Sequence, residues 1–243
     1  MADGERLRIV CIVQQRMGST RLPGKALLPL AGKSLTQNLL ERVKRATKLD
    51  EVVLAVPGTP ENECLWQVAH DADCQFYWYR GDENDLVGRY LACAESFGAD
   101  IICRIPGDNP CVQPEYIDLA VQSYQDSAQI YVSTMYPCID GRRYFDGVGA
   151  EVVSVSRLRW LDHATEGCPL YREHPHKLFE DRHLIDGVEQ YTRHAAVSET
   201  VHLDVNSQAD YDFIKDIYDH FQCNTFHVSE VLTYLDQRKG VTA

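Results

Sequence analysis

The sequence predicts an α/β protein built on an open, mostly parallel sheet with a smaller inserted lobe, and three observations carry that prediction. Short β-branched runs at residues 7–13, 51–56 and 100–105 alternate with amphipathic helical patterns along the first half. The runs are apolar nearly throughout rather than at every second position, as strands covered on both faces are. With 243 residues and 44% apolar side chains, the chain has the material for one large core. Strands alternating with helices pair in parallel through right-handed crossovers, and ligands of such sheets bind where loops leave the carboxyl ends of the strands. Chemistry is therefore expected just after Val13, Tyr79 and Ile105.

Each element has its own signal. Residues 7–13 (LRIVCIV) form the first strand. Ser34 caps a helix whose apolar face includes Leu35, Leu39, Leu40, Val43 and Ala46. Residues 51–56 are a strand stopped by Pro57 and Gly58, 61–72 a helix, and 74–79 a strand. The run Phe76, Tyr77, Trp78, Tyr79 reads as strand core rather than a base-stacking platform. Asp85 caps a helix reaching Phe97, with Gly98 as its stop. Residues 100–105 are a strand, and Pro114 opens a helix to Tyr124. The second half is less regular: strands at 129–135, 150–155 and 200–205, a helix at 169–180 that Pro175 breaks or kinks, a helix capped by Asn206 or Ser207 and ending near Phe221, and a last helix at 230–238 capped by Ser229. The whole reads as a single domain over 1–243, with an insertion-like lobe at about 130–195.

Acidic residues outnumber basic ones 36 to 24, a net charge of −12, which argues against a nucleic-acid or membrane partner. The polar start of the chain lacks a signal-peptide pattern, and no stretch approaches a membrane span, so a cytoplasmic location is expected. The nine scattered cysteines contain no CxxC and read as reduced, mostly buried side chains rather than a zinc site.

Against that acidic background one loop stands out. After the first strand come Gln14, Gln15, Arg16, Met17, Gly18, Ser19, Thr20, Arg21, Leu22, Pro23, Gly24 and Lys25. Arg16, Arg21 and Lys25 concentrate positive charge, Gly18 and Gly24 permit close backbone approach or positive φ, and Ser19 and Thr20 add hydroxyl donors. Backbone amides with guanidinium forks are the means by which a loop holds a polyphosphate. The loop is neither a Walker A motif nor GxGxxG. A second element, Arg104-Ile105-Pro106-Gly107-Asp108-Asn109-Pro110, places Asp108 at the sheet's carboxyl edge, where a carboxylate can hold Mg²⁺ or simply make an Asx turn. A third, Val201-His202-Leu203-Asp204-Val205-Asn206, puts another carboxylate before a helix, and the two acids together make a better magnesium site than one.

These segments, taken in order, resemble the cytidylyltransferases that make CMP-activated acidic sugars: the spore-coat-polysaccharide branch, with the CMP-Kdo and CMP-sialic acid synthetases as relatives. Three further segments extend the resemblance over nearly the whole chain: residues 80–90 (RGDENDLVGRY), 146–152 (DGVGAEV) and 171–174 (YREH). The resemblance implies a Rossmann-like nucleotidyltransferase sheet of the nucleotide-diphospho-sugar transferase type, with Mg²⁺ as cofactor. It implies that Gln14, Arg16, Met17, Gly18, Ser19, Thr20, Arg21, Lys25, Gly81, Asp82, Arg89 and Asp108 bind the nucleotide, Arg16 and Lys25 being catalytic at the α-phosphate. Asp108 and Asp204 would hold the metal; Arg104, Glu151, Arg172 and His174 would face the acceptor. A homodimer is also implied. Departures fall on the acceptor side: Arg142 and Arg143 in the link at 138–145, and Pro175-His176-Lys177 where the branch has a Val-Thr-containing run. Gln15 replaces a customary Ala. His176, two residues from His174, is expected to face elsewhere if the segment is helical. His70, His163, His183, His194, His220 and His227 lack ligand spacing.

The implied reaction is in-line attack of an acidic acceptor (a sugar acid, phosphate or phosphonate) on the α-phosphorus of CTP, releasing pyrophosphate. Transfer from UTP, GTP or dTTP to a sugar phosphate, or nucleotide binding without catalysis, are the alternatives.

Overall fold

The computed structural model describes residues 6–135, 146–187 and 201–241. The strands and helices in chain order are β1 (Ile9–Gln14), β2 (Pro29–Leu30), β3 (Lys33–Ser34), α1 (Leu35–Val43), β4 (Glu51–Pro57), α2 (Cys64–Asp71), β5 (Gln75–Tyr79), α3 (Leu86–Ser96), β6 (Ile101–Pro106) and α4 (Pro114–Asp126). Then follow β7 (Tyr131–Ser133), β8 (Glu151–Ser154), α5 (Val155–Ala164), α6 (Pro169–Glu173), α7 (Lys177–Asp181), β9 (Ile185–Gly187), α8 (Gln208–Phe221) and α9 (Val228–Val241).

The main sheet runs β5-β4-β1-β6-β8-β7-β9. β1 lies parallel to both β4 and β6, and β4 to β5; β8 is antiparallel to β6 and β7, and β9 returns to parallel beside β7. The sheet is thus mixed with parallel pairing dominant, as the alternating first half predicts. Its two faces divide β1 by parity. Ile9, Cys11 and Val13 enter one core with Leu39, Leu40, Val43 and Ile117, while Val10 and Ile12 enter the other with Val87, Tyr90, Leu158 and Phe179. Alternate side chains of a strand point to opposite faces, so only an uninterrupted apolar run can fill both. Fully burying one such side chain contributes about 1.5–3 kcal/mol. A third cluster, with Leu203, Val205, Tyr211, Ile214 and Val231, seats α8 and α9 against the β2–β3 hairpin.

The caps expected at Ser34 and Asp85 are present: Ser34 Oγ accepts from Gln37 N, and Asp85 from Gly88 N. Ser207, rather than Asn206, caps α8 through a reciprocal capping box with Asp210. Other expectations need correction. Among the described residues, the strand expected at 200–205 is reduced to one bridge, Asp146 with His202, and Thr200 lies outside them. Residues 129–135 keep only the three-residue β7, and Val155 leaves its expected strand to open α5, capped by Ser154. The helix at 169–180 is broken around Pro175 into α6 and α7, as its sequence predicts. The last helix starts at Val228, before Ser229. Arg142, Arg143, Cys138, His194, and residues 136–145 and 188–195 of the inserted lobe lie outside the described residues. Among the described residues, no helix is long and apolar enough to cross a membrane.

Candidate functional site

In the order β5-β4-β1-β6 the chain moves outward from β1 on one side and then returns to its other side at β6. The crevice at such a switch point opens at the carboxyl ends of β1 and β6. There Gln14 is in register with Pro106, so the loop after β1 meets the turn after β6. A cavity of about 370 Å³ occupies this place.

The loop is pinned by neutral contacts. Buried Gln15 donates through Nε2 to Gly107 O (2.7 Å) and to Thr36 Oγ1 (3.0 Å). A Cβ on Gly107 would stand 2.2 Å from Gln14 O, so only glycine allows this approach. Gln15 is long enough to reach the turn, which explains what a small residue at its position would leave undone. Tyr90 donates to Gln14 Oε1 (2.6 Å), Met17 N donates to Asn62 Oδ1 (2.8 Å), and Gly24 turns the chain with φ 71°.

From this loop Gln14, Arg16, Ser19, Thr20, Arg21 and Lys25 line the cavity. Lys25 is 8% exposed and donates to Val205 O (2.7 Å) and Asp108 Oδ2 (3.2 Å). One ammonium thereby ties the first loop to both carboxylate-bearing segments, while Asp108 O accepts from Val205 N (2.8 Å). Arg16 reaches Asn84 Oδ1 (2.9 Å) and Glu83 (3.8 Å); Arg21 donates to Asn206 Oδ1 (2.6 Å), and Asn206 in turn donates to Asp204.

Asp108 and Asp204 both line the cavity, joined by Asp146. Asp146, His202 and Asp204 bring ligand atoms within 4.8 Å of one another. Burial, then the charges of Asp146 and Asp108, push the Asp204 carboxyl up to about 6. Three neighbouring carboxylates, with Lys25 balancing only Asp108, offer oxygen ligands and net negative charge, a set that fits a hard divalent cation such as Mg²⁺. Sequence reasoning assigned no role to Asp146 or His202. Asp146 already stood at the head of the 146–152 segment, and His202 lies two residues from Asp204 in extended chain, where alternate side chains share a side.

Arg89, Arg104 and His174 also line the cavity, with Glu173 and His176 beside them. Arg104 forms an ion pair with fully buried Glu151.

Six expected contact residues lie outside this lining. The Met17 side chain packs into the core, and Gly18 has open space where a Cβ would stand. Gly81 passes against the Tyr79 ring and Asp82 accepts from Asn84 N (2.8 Å), so both shape the turn presenting Glu83 and Asn84. Glu151, with no exposure, sits behind Arg104 and cannot face an acceptor directly. Arg172 is spent elsewhere. Its fork donates to both oxygens of Asp85 (2.9 and 2.8 Å), and it also reaches Asp162 Oδ1 (2.8 Å) and Asp162 O (3.1 Å). Burial alone would raise the Asp85 carboxyl, but the Arg172 fork and the Gly88 amide hold it below its ordinary value. Conversely, His176 lines the cavity against expectation, because Pro175 removes the helical geometry on which that expectation rested.

Fold and cavity together define an α/β nucleotidyltransferase-like protein with a central mixed sheet and a smaller inserted lobe. The sequence matches the cytidylyltransferase family over residues 10–235, and this chain belongs to that family. The spore coat polysaccharide biosynthesis protein SpsF of Bacillus subtilis is 31% identical over 222 residues, 86% of each chain. A cytidylyltransferase from Leptospira borgpetersenii serovar Hardjo-bovis shares the fold with a TM-score of 0.83 at 24% identity, over 97% of each chain. CMP:2-keto-3-deoxy-manno-octonic acid synthetase, solved with CTP, gives a TM-score of 0.67 at 19% identity, over 88% of this chain and 99% of that one.

Proposed function

We propose that this chain transfers CMP from CTP to an acidic small-molecule acceptor, with Mg²⁺, and releases pyrophosphate. The observation that supports it most is the Lys25 ammonium at 3.2 Å from Asp108, in a cavity shared with Arg16, Arg21 and Asp204. Cations for a triphosphate and carboxylates for its metal face one space.

In this reading Arg16, Ser19, Thr20, Arg21 and Lys25 hold the triphosphate, with Gln14 and Arg89 lining the nucleotide side. Arg16 leaves Asn84 and Glu83 for phosphate oxygens, exchanging a neutral and a distant partner for charge-assisted bonds. Lys25 and Arg16 offset the charge that builds at the α-phosphorus, where donors fixed beforehand need no reorganisation. Asp108 and Asp204, with Asp146 beside them, hold Mg²⁺, which when bound neutralises phosphate charge and polarises the reacting oxygens. Arg104 and His174 face the acceptor.

The test incubates the protein with CTP, Mg²⁺ and a panel of sugar acids, sugar phosphates and phosphonates, and identifies any CMP conjugate by mass. Pyrophosphate release from CTP but not from UTP, GTP or dTTP is expected. CTP binding without any conjugate or pyrophosphate would sink the catalytic reading. The homodimer implied by the resemblance is checked by sedimentation.

A further inference from the structure

The segment after α6 carries two imidazoles into the cavity, and only the first belongs to a family-like motif. The helix ends at Glu173, and His174 leaves the helical region (φ −123°, ψ 80°), from which the following proline excludes it. Pro175 is buried, and the chain re-enters a helix at Lys177. His174 and His176 therefore flank the proline and line the same cavity, with ring centroids 6.1 Å apart.

Among the described residues, the groups around His176 come from β6, β8 and its own segment. Arg104 reaches it from β6, backed by buried Glu151 of β8; His174 and Lys177 come from its own segment, and Glu173 lines the same cavity. Burial and the neighbouring Arg104 both disfavour an imidazolium, and they press the ring down to about 3, so that it is neutral near pH 7. Arg104 is already balanced by Glu151. Lys177 likewise pairs with Asp181 (3.1 Å), so a proton on the His176 ring adds positive charge to this wall for an incoming anion.

We infer that His176 is a specificity-determining residue for the acceptor: the acceptor's acidic group docks against Arg104, His174 and His176, and His176 takes up one proton from solvent as it does. The inference rests on the acidic-acceptor reading above and adds to it a residue and a proton. An anion beside the ring favours its charged form, so binding and protonation strengthen each other reciprocally.

The test is calorimetric titration of the whole protein with two probes, 2-keto-3-deoxy-manno-octonic acid for a carboxylate and inorganic phosphate for a phosphate. It is run in buffers of different ionisation enthalpy, at about pH 6 and about pH 8. The expected result is proton uptake with one probe, larger at about pH 6 than at about pH 8, and tighter binding at the lower pH, by up to about tenfold per pH unit. His176→Gln, checked by its melting curve, should lose the proton uptake. In the unsubstituted protein, histidine-labelled NMR should show the His176 ring becoming protonated when the probe is added, a readout independent of any variant. Binding without proton uptake, uptake that persists in H176Q, or binding of neither probe overturns the inference. A CMP conjugate formed from an acidic acceptor alongside any of these results leaves the proposed function standing; the absence of any conjugate sinks that function instead.

Discussion

The two sides of the cavity are built by different physics. On the side proposed to hold phosphate, one loop between β1 and α1 supplies most of the cations, and besides the Lys25–Asp108 pair neutral side chains pin it: Gln15 to Gly107, Asn62 to Met17, Tyr90 to Gln14. On the side proposed to face the acceptor, the wall stands on charge pairs between distant segments. Arg104 pairs with Glu151, and Arg172 holds Asp85 from 87 residues away while also gripping Asp162. Neutral pins are indifferent to pH and salt, whereas charge pairs have large opposing terms and fail when one partner is removed. The phosphate side should therefore lose chemistry when altered, and the acceptor side should lose stability first.

The largest expected effect is on the acceptor side. Glu151→Gln leaves Arg104 without its buried counter-charge and should cost about 3–5 kcal/mol in urea unfolding. A variant that unfolds like the parent but loses acceptor turnover would return Glu151 to direct contact. Next, Lys25→Ala should lower turnover by about 10²-fold or more, equivalent to roughly 2.7 kcal/mol, seen as slower pyrophosphate release. Near-normal turnover would remove Lys25 from the charge-stabilising role. Arg172→Ala should destabilise by about 2 kcal/mol, less than a fully buried pair because its side chain is 21% exposed, and high salt should narrow the gap from the parent. If it instead changed only the acceptor's KM with no shift in melting, the clamp would be the wrong account.

The smallest effect concerns pH. His176 sits at about 3 when folded, below its ordinary value of 6.5. The unfolded chain binds the proton first as pH falls, so stability is lost from the ordinary value downward and the loss ends near the folded one. Between about pH 7 and about pH 6 the parent should lose roughly 0.7 kcal/mol more than His176→Gln. Equal losses in urea titrations of both would show a ring already charged or freely solvated.

How much could be read beforehand follows the same divide. The caps at Ser34 and Asp85, the apolar run of β1 and the cationic loop are local patterns, and each is legible because its cause lies within a few residues. Helix α5 escaped because Val155 continues a β-branched run into a helix that Ser154 starts. The 200–205 segment reads as a strand by composition, yet strand character needs a neighbour to pair with, and among the described residues Asp146 supplies only one bridge.

The sequence by itself determined the sheet's parallel half, the place of the cationic loop at a strand's carboxyl end, and the presence of acids at 108 and 204. Periodicity, caps and turn residues act over one or two turns of chain and leave their marks in order. Only the tertiary structure decided that Lys25 touches Asp108, that Asp146 joins Asp204, that Arg172 is spent on Asp85, and that Pro175 turns His176 into the cavity. Those outcomes depend on which distant side chains share a low-dielectric space, and distance along the chain carries no record of that.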